Sequence, residues 1–190
     1  MTALRSWSTR IDEVLIAPGA TPGERLLGYG AGASGAVFAT VVATHAALPT
    51  WGVVVLAAVA FDVFGGVVVN ATLSGSRRFH RPGTPRWSAL GFVTFHVHPF
   101  VLALLLPDQM SWGTAAVTYS GIVLATVLVT VAPRSLCQPV AFALAAVLIA
   151  VTTSVLPVAD VVSWVLPLLV VKLLLSHLLP HLGDSPHRIK

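Results

Sequence analysis

Asp62, His96, His98, Lys172 and His177 are ionisable residues set inside long apolar runs. A charged side chain at the centre of a spanning helix costs roughly 3 kcal/mol, so each marks a candidate site. Asp62 and Lys172 have opposite charge. Counted at 1.5 Å per residue from the same end of their runs, both fall roughly 15–16 Å deep, beside His96 and His98 at roughly 14–17 Å. Two readings of the pair stay open: mutual compensation of charge, or a group that titrates or binds substrate. Asp62, His96 and His98 are the candidate catalytic groups. On an unbroken helix residues two apart point about 200° away from each other, so one of the two histidines faces the bundle and the other a neighbour. Pro99 complicates this, because it cannot bond the carbonyl of Phe95 and so kinks the helix. Interrupted backbone beside polar side chains is typical of membrane sites.

A second, shallower group comprises His177, His181, His80 and Asn70. His177-Leu-Leu-Pro-His181 puts two imidazoles four apart, on one helical face, as shared metal ligation requires. With His80 they are the candidate metal ligands, and neutral imidazoles with an ionised carboxylate suit zinc or iron. Pro180 works against this by ending the helix before His181. Haem between histidines of the third and sixth runs is a further expectation. Asn70, Lys172, Arg77 and Arg78 complete the candidate polar site.

Ser76-Arg-Arg-Phe-His80 together with His177-x-x-x-His181 resembles the S-x-x-x-H and H-x-x-x-H motifs of the alkaline ceramidase-like membrane hydrolases. That resemblance implies a zinc site and hydrolysis of a lipid amide. It covers under a tenth of the chain. The family has seven helices and an intervening aspartate on a following helix, whereas the next acid here, Asp108, falls at the opposite membrane side.

The elements that must position these residues follow from composition. The 190 residues are 56% hydrophobic and 9% charged, against about 25% charged in a soluble domain. So few charges cannot cover a water-facing surface, and most of the solvent is lipid. Six apolar runs, at about 26–48, 51–73, 87–106, 113–132, 138–156 and 161–182, approach the ~20 residues that cross a bilayer. The expectation is an all-α, polytopic six-helix transmembrane bundle over 24–183. A short amphipathic helix within 1–23 carries Leu4, Trp7, Ile11, Val14 and Leu15 on one face, and 184–190 form a tail. Arg5, Arg10, Arg25, Arg77, Arg78, Arg81, Arg86, Arg134, Arg188 and Lys190 all fall in connections on one side. The positive-inside rule makes that side cytoplasmic, both termini included, in the cell membrane.

The net charge of +4 is spread over these connections, which excludes a nucleic-acid groove. The arginines of 77–86 are placed for anionic lipid headgroups. Gly30, Gly32 and Gly35 match a dinucleotide fingerprint, but lack its preceding strand and following acid. Gly28 and Gly32 instead read as a helix-packing GxxxG, and Gly65-Gly66 either pack likewise or leave space beside Asp62. The single cysteine, Cys137, reads as a small buried residue. Three functions are open: a membrane enzyme with a His/Asp site, metal-bearing or not, acting on a membrane-soluble substrate; a proton- or ion-coupled carrier using Asp62 and Lys172; and a non-catalytic assembly subunit.

Overall fold

The computed structural model describes residues 12–81 and 83–179. Among them the chain is helical: α1 (Pro22–His45), α2 (Thr50–Ala71), α3 (Leu73–Phe79), α4 (Ser88–Thr94), α5 (His98–Leu105), α6 (Trp112–Val131), α7 (Cys137–Ser154), α8 (Asp160–Ser163), α9 (Val165–Val170) and a π-helix over Val171–His177. With α4–α5 and α8 through the π-helix each taken as one interrupted segment, six segments are long and apolar enough to cross a membrane. The amphipathic segment expected near the N-terminus lies almost wholly outside the described residues, as do His181 and the tail.

Helix α1 starts earlier than expected. Thr21-Pro22-Gly23-Glu24 is a capping box: the Thr21 hydroxyl accepts from the Glu24 amide at 3.2 Å, and the Thr21 amide donates to Glu24 Oε2 at 2.8 Å. Glu24 also accepts from the Ser74 amide and hydroxyl, at 3.0 and 2.9 Å, tying α1 to α3. The stretch after Asn70 is likewise helical, capped by the Thr72 hydroxyl on the Gly75 amide. Sequence reasoning took its arginines and serines for a loop.

The broadest helix contact is α1 on α2. Gly28, Gly32 and Gly35 are buried in it. A Cβ on Gly65 would stand 3.3 Å from the Gly28 carbonyl and 3.5 Å from Gly32 Cα, and one on Gly35 would strike the Phe64 ring. Small residues thus let the two backbones meet, the packing role expected of GxxxG. The sixth segment is the most enclosed, burying Leu166, Leu169, Leu173 and Leu174 against Leu56, Val63 and Leu102. Large apolar side chains such as Val37, Val54, Leu104, Leu124 and Val147 instead cover the outer flanks, as lipid-facing surface requires.

Connections meet at two ends. At one, Arg78 donates to the carbonyls of Glu13 and Val14, Arg86 to that of Ala132, and His80 to that of His177. At the other, Met110 bridges Val158, the Ala159 amide donates to Gln109, and the Thr114 hydroxyl to Pro157. The arginines therefore cluster at one end of the bundle, with the charged pair Asp62–Lys172 between the two.

Candidate functional site

The third segment is not one helix. Pro99 has no N–H to return to Phe95, and the chain unwinds over 95–97 before restarting as α5. The Val97 amide turns back onto the Phe95 carbonyl at 2.9 Å. The Thr94 carbonyl, which loses its helical donor, is satisfied by the Tyr119 hydroxyl of α6 at 2.9 Å. The break corrects the opposed geometry expected for the two histidines. Their rings are neighbours, with centroids 5.5 Å apart.

His98 Nε2 lies 3.0 Å from Asp62 Oδ2, to which its N–H donates. The His96 Nδ1–H donates to the Phe92 carbonyl at 2.8 Å, which leaves Nε2 as the acceptor nitrogen. On the far side of Asp62, Lys172 Nζ donates to Oδ2 at 2.5 Å and to the Asp62 carbonyl at 3.2 Å. The expected pair is therefore formed, with His98 as its third member. Both side-chain bonds land on Oδ2, and Oδ1 accepts nothing among the described residues.

The two charges are enclosed very differently. The Lys172 side chain is 3% exposed and that of Asp62 48%. Asp62 shares an outward face of α2 with Trp51 and Val54, and Phe95 beside the break is also exposed. The ammonium is sealed in the bundle while the carboxylate is open at its flank. Gly66, one turn along α2, makes the arrangement possible: a Cβ there would fall on Lys172 Cε and stand 2.8 Å from Nζ. Gly65 packs on α1 while Gly66 leaves the space, so the two readings of this glycine pair divide between them.

Lys172 and His177 lie near the two ends of the π-helix. Five residues apart on an α-helix they would point roughly 140° from each other, and the wider turn draws both towards one face. Pro167 explains the earlier interruption at Trp164, since it cannot bond the Ser163 carbonyl. The His177 ring is 1% exposed. It stacks on Phe92 with centroids 3.9 Å apart, and Phe79 meets it edge-on at 4.6 Å. Neither ring nitrogen has a hydrogen-bond partner, and the same holds for buried His98 Nδ1 and Asn70 Nδ2. Asn70 lies two turns from Asp62, roughly 12 Å along α2.

The metal expectation finds no support among the described residues. Among the described residues no three His, Cys, Asp or Glu side chains are placed to share an ion. His80 Nε2 is committed to the His177 carbonyl at 2.8 Å, and the two rings lie 6.3 Å apart. His181 lies outside the described residues. Arg77 and Arg78 end α3 at the arginine-bearing end, a connection away from Asp62, and Arg78 is held by Glu13 and Val14. Sequence reasoning missed Tyr119, Phe79 and Phe92. Only Phe92 left a signal, its i,i+4 spacing to His96.

Fold and site together define a class: a helical bundle of six membrane-length segments, holding a carboxylate–ammonium–imidazole cluster where its third segment is broken and its sixth is π-helical. No family model matches the chain, and no curated protein or solved structure is similar to it. The likeness to the ceramidase-like hydrolases rests on its short motifs alone.

Proposed function

We propose that this is a multi-pass membrane protein that couples binding of a small, membrane-partitioning solute to protonation of Asp62, as a proton-coupled carrier. The observation that carries the reading is the unequal enclosure of the pair. A structural ion pair hides both charges from lipid, but here the carboxylate is open at the flank with Oδ1 unoccupied. A solute with a hydrogen-bond donor can reach Oδ1 between α2 and the break. A proton on Asp62 competes with that solute, and Lys172 offsets the charge when the proton leaves. Discontinuous helices at mid-span give such a site two backbone arrangements to alternate between.

In proteoliposomes with an internal pH dye, a panel of small amphipathic amines and alcohols should include members that drive proton flux. Asp62→Asn should reduce that flux at least about tenfold, the equivalent of about 1.4 kcal/mol. Undiminished solute-driven flux in Asp62→Asn would remove the reading.

The orientation we infer places the arginine-bearing end in the cytoplasm, beside the anionic leaflet of the cell membrane. Reporter fusions at Arg81, Arg134 and Lys190 should read cytoplasmic, and fusions at Thr50 and Asp108 external. An external signal at Lys190 overturns the count of six crossings.

A further inference from the structure

We propose that, in this conformation, a hydrated path runs from Asp62 to the arginine-bearing end and not to the other, through His98, His96 and His177, and that the Phe92 ring is its gate. The inference rests on Asp62 exchanging protons, as proposed above, and adds the route and the side.

Five buried side-chain nitrogen or oxygen atoms lack a partner among the described residues. Four of them belong to His98, His177 and Asn70, the last contributing Nδ2, and the fifth to Thr118. An orphaned buried polar atom costs about 1–3 kcal/mol, so a cluster of them on α2, α5 and the π-helix calls for water. Buried waters typically bond about three such groups. The atoms of His98, Asn70 and His177 lie at the level of Asp62 or towards the arginine end, where the His177 carbonyl is bonded by His80; Thr118 lies nearer the other end, early in α6. Towards the other end the interior is mostly apolar: Leu102, Ala103, Leu106, Met110, Leu166 and Leu169 are all buried there, with the Thr118 hydroxyl the one unpartnered polar atom among the described residues, and the Met110–Val158 bridge closes over them. The groups facing this path are Asp62 on α2, His96 and His98 around the break, Lys172 and His177 on the π-helix, and His80 after α3.

The path is closed in this state at one ring. Phe92 sits between two imidazoles, its centroid 4.4 Å from His96 and 3.9 Å from His177. No water fits between rings so close. A proton moves along hydrogen bonds of about 2.7–3.0 Å, so transfer between His96 and His177 requires Phe92 to swing aside. Phe79, 4.9 Å from Phe92, backs it from α3. A movement of α3 at the membrane surface would therefore reach the gate.

The test is the rate at which Asp62 protonates. In wild-type protein in lipid nanodiscs, the infrared band of the protonated Asp62 carboxyl, assigned by its loss in Asp62→Asn, is followed after a pH jump. Phe92→Ala should speed the response about tenfold or more, and His177→Leu should slow it by a similar factor. Both should leave the final extent of protonation unchanged. Phe92→Leu, which keeps an apolar side chain but cannot stack, should also speed it and covers a folding failure of the alanine variant. In proteoliposomes the jump should act quickly from the arginine-bearing side and slowly from the other. Unchanged rates in the Phe92 and His177 variants, with the Asp62 band intact, overturn the path and leave the carrier reading standing. Absence of any titrating Asp62 band in wild type overturns both.

Discussion

Asp62→Asn is expected to destabilise the folded protein by about 3–5 kcal/mol, and Lys172→Met by less, about 1–3 kcal/mol. Breaking a buried pair from one side strands the other charge, and the stranded charge sets the cost. After Asp62→Asn the stranded group is an ammonium 3% exposed, left with neutral acceptors alone, the introduced amide oxygen and the backbone carbonyl at 3.2 Å, and no counter-charge. After loss of Lys172 it is a carboxylate 48% exposed that keeps the His98 Nε2 at 3.0 Å. The double variant Asp62→Asn/Lys172→Met removes both charges and should cost less than Asp62→Asn alone. Unfolding titrations of the four proteins in one detergent give the coupling directly. Additive effects mean that the two side chains do not stabilise each other, and equal single-variant costs mean that the difference in enclosure is without consequence.

Gly66→Ala should destabilise by about 1–3 kcal/mol, although alanine normally stabilises a helix by about 0.8–1.0 kcal/mol relative to glycine. The added methyl falls on Lys172 Cε, so the buried lysine stem must leave its present position. The ammonium is then drawn off Oδ2, so the variant should also lose solute-driven proton flux. Two controls isolate the cause. Gly30→Ala and Gly91→Ala meet nothing within 4 Å and should be neutral or stabilising. In a Lys172→Ala background the methyl has room, and the cost of Gly66→Ala should fall below about 0.5 kcal/mol, the usual limit of additivity between independent sites. A cost that persists in that background would point to the α2 backbone and away from the lysine.

The sequence by itself determined the number of membrane-length segments and their rough limits. Those depend on local apolar length, and lipid enforces it residue by residue. It also placed Asp62 and Lys172 at matching depth, where two lone charges are costly to keep apart, while their contact is seen in the structure. Pro99 announced the interruption of the third segment, although the extent of unwinding and the neighbouring histidine rings did not follow from it. Hydropathy misread two stretches. Pro22 to Glu24 and Leu73 to Phe79 are helical without being apolar throughout, the first closed by the capping box with Thr21 and the second capped by Thr72. The tertiary structure alone decided which charge is sealed and which is open, because exposure depends on how α2 is rotated against the sixth segment. That rotation is set by Gly65 on α1 and Gly66 against Lys172. It alone also decided that His177 faces Phe92 and Phe79 with its nitrogens unpartnered, because a π-helix redirects every side chain after the point where it begins.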